Sequence, residues 1–358
     1  MNLTSLFNQS GALFNTSGPE WLPEHEGWIL PRFPADLRKK LSPDDPLRYL
    51  GSTGAELRFI CDAPEVTLTV SSPEENATLK LFKGDYAIKI GDREPSLHAV
   101  PKGKMTTIRL ALPSGWNEVS PAVMQSGRFP SSLWRIQYNR GLIFLHELDT
   151  NGYPIRGPRQ DELPPLRWLA YGSSITQSNF FGYPQHAARQ LKVDVLNQGW
   201  GGACRIEAET VDFLATHGDW DFATAEMGIN MRALFEPDEF EKRVYHLVAT
   251  WTRRNPGKPL VLITIFPNRA TYLMTPNDET RKEADFNTIL RKVAADYTSH
   301  HVTLIEGSAL LDTFEGLSQD LLHPTFYGHA RMGDNLAKAL LPLVESLRKS
   351  QATPGMAK

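Results

Sequence analysis

The chain has 358 residues, of which 41% are hydrophobic and 22% charged, and its formal net charge is −3. That mix belongs to a folded globular chain with core enough to need no disulfide scaffold, and it excludes a disordered or fibrous one. The near-neutral balance supplies no whole-chain basic field for nucleic acid or an anionic membrane.

The length suits one large domain or two medium ones. Met1 to Trp21 contains no Lys or Arg and is broken by Asn, Ser and Gly, so no secretory leader is read there. The longest apolar runs, such as Val261 to Phe266, fall far short of the roughly 20 residues that span a bilayer. A soluble, cytoplasmic protein with no membrane partner is expected; an exported one stripped of its leader reads the same. Cys61 and Cys204 show neither CxxC nor zinc spacing and fit a reducing compartment.

Residues 1–150 read as β-structure. Val66, Leu68 and Val70 alternate with Thr67 and Thr69, which places the apolar side chains on one sheet face. Leu79, Leu81 and Tyr86 flank a Lys83-Gly84-Asp85 turn, and further runs cover 105–112, 133–138 and 142–148. Asn139-Arg140-Gly141 reads as the hairpin turn between the last two. Short strands with turn signals and no long amphipathic helix predict an all-β sandwich. Residues 151–166 carry four prolines and two glycines without periodicity and are expected to be a linker.

From 167 to 350 the rhythm changes. Strand-like runs near 167–172, 193–198, 221–227, 259–266 and 301–306 alternate with helical patterns near 183–191, 206–216, 237–254, 278–297 and 326–348. Near-continuous apolar strands imply burial on both faces, hence an α/β domain with a parallel sheet between helix layers. Residues 351–358 read as a disordered tail.

In such a sheet ligands bind beyond the carboxyl ends of the strands. The first strand ends in Gly172-Ser173-Ser174-Ile175-Thr176-Gln177, the second in Asn197-Gln198-Gly199-Trp200-Gly201-Gly202 and the third in Glu226-Met227-Gly228-Ile229-Asn230. Asp320-Leu321-Leu322-His323-Pro324 stands near the C-terminus. A serine hydroxyl needs an adjacent base to attack at neutral pH, and His323 could take its proton while Asp320 holds the imidazole. Each block alone has a plainer reading. A serine after a strand is most often a helix cap, a histidine before proline a loop residue, and Asn230 a turn residue.

Together and in this order the four blocks resemble those of the SGNH, or GDSL-type, hydrolases. The resemblance implies a flavodoxin-like three-layer α/β/α domain preceded by a jelly-roll-like β-sandwich. It implies Ser174, Asp320 and His323 as catalytic residues, with the N–H groups of Ser174 and Gly202 and the Asn230 amide as oxyanion donors. Two departures stand out. Ser173 occupies a position where that family usually has Asp, and Met231 one where it usually has a second Asp, which leaves open how these two loops are pinned.

Other features carry less. GWGGAC at 199–204 lacks the GxGxxG spacing and a following Lys-Ser/Thr, His300 and His301 are adjacent, and there is no HExxH, so neither a cofactor nor a metal is expected. His329 reads as a helix residue, and Trp200 as packing near the site.

The expected function is a serine esterase acting on a small ester or an acylated carbohydrate, by likeness to two-domain carbohydrate esterases in which the β-domain shapes the cleft or grips sugar. An acyltransferase using the same triad, or a non-catalytic carbohydrate-binding protein, are the alternatives. No nucleic-acid partner is expected; a homo-oligomer stays open.

Overall fold

A computed structural model describes residues 3–45, 49–88, 97–178 and 181–352. The chain divides into two compact units, Met1–Pro165 and Leu166–Lys358.

In chain order the strands of the first unit are β1 (Leu13–Phe14), β2 (Glu20–Leu22), β3 (Gly27–Ile29), β4 (Glu56–Ile60), β5 (Glu65–Ser71), β6 (Ala77–Lys83), β7 (Tyr86–Ala87), β8 (Leu97–Val100), β9 (Met105–Ala111), β10 (Leu133–Arg140) and β11 (Phe144–Asp149). They form two antiparallel sheets, one ordered β1-β4-β10-β6-β7 with β8 also on β6, the other β2-β3-β11-β5-β9. Leu57, Leu79, Leu81 and Ile136 from the first sheet share one core with Val66, Leu68, Ile108 and Leu145 from the second, which makes the unit an all-β sandwich. Val66, Leu68 and Val70 are buried in alternation, as their spacing predicts. Lys83 pairs with Tyr86 across the tight turn at Gly84.

One turn departs from expectation. β10 and β11 do not pair as a hairpin about 139–141; they belong to different sheets. The ladder of β10 on β6 becomes irregular between Tyr138 and Arg140. Gly141 then adopts φ +81, and a Cβ there would stand 2.7 Å from that of Ala77. β10 has β4 on one edge and β6 on the other, so no edge is left for the returning chain, and it crosses to the other sheet. Of the stretch 151–166, all but Leu166 counts with the first unit: Ile60 and Arg156 exchange backbone hydrogen bonds of 2.8 and 3.2 Å, and Arg156 pairs with Glu162 at 2.7 Å.

The face of the first sheet opposite this core is buried and charged. Glu56 accepts from Arg135 Nε and Nη2 at 2.9 and 2.6 Å, from Arg58 Nε at 2.7 Å and from Gln137 Nε2 at 2.7 Å. Burial alone would push its carboxyl up. The charges and hydrogen bonds of Arg135 and Arg58 outweigh that and hold it well below the usual carboxylate range. Burial draws Lys80, on the same face, down to about 7 against the opposing charge of Glu56.

The second unit holds β12 (Arg167–Gly172), β13 (Asp194–Gly199), β14 (Phe222–Glu226), β15 (Leu260–Ile263) and β16 (Val302–Ile305), all parallel in the order β13-β12-β14-β15-β16. This is the flavodoxin-like order, and it reverses direction between the first and third strands of the unit, where such sheets open a crevice. Helices Tyr183–Leu191, Ala208–Leu214, Pro237–Arg254, Asp278–Asp296 and Phe326–Ala352 cover it. Gly333 lets the last of these approach the first, since a Cβ there would lie 2.3 Å from that of His186. His300 ends a 3-10 turn ahead of β16, and His301, at the start of the run expected as strand, caps that turn with φ +60 instead of joining β16. Residue 351 belongs to the last helix; of the segment expected as a tail, 353–358 lie outside the described residues.

Cys61 and Cys204 are free and buried. Among the described residues no helix is long and apolar enough to cross a membrane, and no group of three or more His, Cys, Asp or Glu could hold a metal ion.

Candidate active site

β12 delivers the chain into a single helical turn, Ser174–Gln177, capped by Ser173, whose hydroxyl accepts the Ile175 N–H. Gly172 is required at the strand end because a Cβ there would lie 2.1 Å from Thr176 Oγ1. Ser174 Oγ lies 2.7 Å from His323 Nε2, and His323 Nδ1 lies 2.6 Å from Asp320 Oδ2. The structure thus joins these three side chains in one hydrogen-bonded line.

The Asp-x-x-His spacing works through the backbone. Asp320 Oδ1 accepts the N–H groups of Leu322 and His323, both at 2.9 Å, and the Ser318 hydroxyl at 2.8 Å. Those bonds bend the chain so that the imidazole returns over the second carboxylate oxygen. Leu321 takes φ +55 in this bend, and its carbonyl accepts the Arg269 N–H at 2.6 Å from the loop after β15. Burial acts to raise the Asp320 carboxyl. The His323 ring, the two backbone N–H groups and Ser318 prevail and hold it well below the carboxylate range, so it is an acceptor at neutral pH. Pro324 keeps His323 out of the helix that starts at Phe326.

The other two loops come alongside. Gly201 N–H donates to Gln177 Oε1 at 2.7 Å, and a Cβ on Gly201 would stand 3.5 Å from Ser174 Cβ. Gly202 follows on an exposed turn with φ +66, and a Cβ there would meet nothing within 4 Å. Asn230 Oδ1 accepts the Cys204 N–H at 3.3 Å, which ties the loop after β14 to the loop after β13 and leaves the amide NH2 as a donor.

Several residues to which the sequence reading gave no catalytic role support the site. Ser173, read above as a departure from the resembled family, meets an acid from Glu226 at the end of β14, whose Oε2 accepts from the Ser173 N–H at 2.8 Å, the Ser173 hydroxyl at 2.7 Å and the Thr176 hydroxyl at 3.0 Å. Burial pushes the Glu226 carboxyl up, and those same bonds oppose the rise. Where Met231 stands, Arg232 pins the loop through Asn268 Oδ1 at 3.1 Å and through Glu283. The one available signal for Glu226 was an acid ending an otherwise apolar strand. His329 is buried in the last helix, its ring stacked on Tyr183 and its Nδ1 accepting the Tyr183 N–H at 3.3 Å. Trp200 is buried, and its backbone N–H donates to the Gly172 carbonyl at 2.8 Å.

Residues 170–331 match the sequence model of the GDSL-like Lipase/Acylhydrolase family. Three solved structures are similar over nearly the whole chain. A salicylyl-acyltransferase, SsfX3, from a tetracycline biosynthetic pathway has 16% identity and a TM-score of 0.73, covering 93% of this chain and 95% of its own. A family two carbohydrate esterase from Cellvibrio japonicus has 15% identity and a TM-score of 0.61, covering 95% and 97%. A family two carbohydrate esterase from Clostridium thermocellum has 12% identity and a TM-score of 0.60, covering 94% and 99%. At these identities the likeness is one of fold. No protein of curated function matches the sequence.

Proposed function

We propose, from the match of residues 170–331 to the GDSL-like Lipase/Acylhydrolase family model and the geometry of the site, a serine esterase that hydrolyses short-chain carboxylic esters, with acetyl groups on carbohydrates as the natural substrate class. The observation that carries the reading is the line Ser174 Oγ to His323 Nε2 at 2.7 Å and His323 Nδ1 to Asp320 Oδ2 at 2.6 Å.

In the proposed reaction His323 Nε2 takes the Ser174 proton as Oγ attacks the ester carbonyl. Asp320 accepts from Nδ1–H and stabilises the imidazolium. The tetrahedral oxyanion draws on the N–H groups of Ser174 and Gly202 and the Asn230 amide. On collapse the C–O bond to the alcohol breaks, and the alcohol leaves with the proton from Nε2. Water then attacks the acyl-serine with His323 again as base, releasing the acid and restoring the hydroxyl.

The reading is tested with aryl esters of increasing acyl length and a panel of acetylated sugars, followed by mass spectrometry of the acylated serine. Acyl transfer to Ser174 and release of free acid are expected; absence of turnover on every ester would remove it. Asn230→Ala should lower kcat by about 10²- to 10³-fold with little change in KM, as for loss of one oxyanion donor.

A second reading is favoured by the fold shared with the salicylyl-acyltransferase: the acyl-enzyme is taken by a second alcohol. Product ratios at rising alcohol concentration separate the two, since pure hydrolysis throughout excludes transfer.

A further inference from the structure

Glu226 is fully buried, and every group it meets donates to it. The Thr176 hydroxyl has one proton. With that proton committed to Glu226 Oε2, its contact of 2.7 Å with Tyr183 OH must be filled by the tyrosine proton. Ser173 likewise donates to Glu226 and accepts from Ile175 N–H at 3.2 Å. Two donor chains therefore converge on one oxygen, while Oε1 has no hydrogen-bond partner among the described residues. Gly172 is what admits the carboxylate: a Cβ at that position would lie 2.7 Å from Oε2.

We propose that Glu226 is a positioning residue for ester hydrolysis, acting through Ser173 to fix the backbone on which Ser174 is carried. Ser173 is gripped by Glu226 at both its N–H and its hydroxyl, and its carbonyl accepts the Gln177 N–H at 2.9 Å. Glu226 thereby holds the peptide plane that enters Ser173 and its side chain, and the Gln177 N–H holds the plane that leaves it, the one joining 173 to 174. That plane sets the direction of the Ser174 N–H and the origin of its side chain facing His323. Thr176, the third donor, has its own carbonyl tied by Asn197 Nδ2 at 2.8 Å, so the turn cannot roll about its axis. Glu226 itself touches no substrate.

This inference rests on the esterase reading. Steady-state kinetics on an aryl acetate should compare wild type with Glu226→Gln, Glu226→Ala, Ser173→Ala and the Glu226→Gln/Ser173→Ala pair, each corrected for its fraction of competent enzyme by active-site titration. Loss of the anchor should appear in kcat with KM within about twofold, roughly 10²-fold for Glu226→Ala, the size of effect that a misplacement of about 1 Å produces. Glu226→Gln keeps one acceptor oxygen in the same shape and should recover part of that loss. The double variant should cost less than the sum of its singles, because both cut one linkage. Where Glu226→Ala does not fold, the Gln and Ser173 variants carry the test. Wild-type kcat per competent site in Glu226→Gln and Ser173→Ala, or additive effects in the pair, overturns the proposal while leaving the esterase intact. A wild type inactive on every ester removes the esterase reading and this inference with it.

Discussion

Ser174→Ala is expected to reduce turnover of aryl acetates by roughly 10⁴- to 10⁶-fold, the range for loss of the serine from an interdependent serine–histidine pair. His323→Ala should do the same, and the double variant should be no worse than either single, because each already removes the complete proton path from Oγ to Nε2. Asp320→Ala should cost less. Its carboxylate orients and stabilises the imidazole without attacking, and half of its hydrogen bonds go to the backbone of its own loop. Thermal unfolding should be nearly unchanged in Ser174→Ala, whose hydroxyl has the His323 ring as its partner. A dead Ser173→Ala beside an active Ser174→Ala would assign the nucleophile to the wrong serine.

The largest effect on stability is expected at Glu56. Glu56→Ala removes the carboxylate that Arg58 and Arg135, both buried, share, and breaking such a buried network costs about 3–5 kcal/mol. The chemical unfolding midpoint should fall accordingly, while a Ser174-dependent activity, if the protein is still folded at the assay temperature, should not. The sign with pH is fixed by the direction of the shift. Glu56 is held below its unfolded value, so its contribution is complete above about pH 5 and fades as pH falls through the carboxylate range. Glu56→Gln should flatten that part of the acid limb; an acid limb identical to wild type would show that the pair is not linked to folding.

The strands and helices of the second unit lay open in the sequence because a parallel sheet buried on both faces writes itself as unbroken apolar runs. Val261 to Ile263 and Trp168 to Tyr171 are examples. Ser174 stood out as a polar residue directly after a strand; Asp320 and His323 lie in the loop ahead of the last helix, well past β16, and were legible by their three-residue spacing and the proline that follows. The first unit hid more. β4 and β10 carry Glu56, Arg58, Arg135 and Gln137 on a buried face, and buried ion pairs look like solvent exposure to any rule that reads polarity as surface. Short strands such as β1, β7 and β8 hold too few residues to show a period. Glu226 stood at the end of the third strand with no role attached to it; what gives it meaning is Ser173, far away in sequence, whose N–H and hydroxyl both donate to it.

The crossing at Gly141 has a consequence for how the protein is made. β10 finds its partners in β4 and β6, and β11 in β3 and β5, so strands adjacent along the chain settle against neighbours translated long before them. The first sheet is incomplete until β10 has left the ribosome and the second until β11 has, and these are the last two strands of the unit. The earliest strands must wait with open edges through most of its synthesis, and the contacts that close the sandwich are of high sequence separation, the kind that slows folding. A chaperone-poor expression host, or a nascent chain stalled before residue 144, is where this protein should aggregate first.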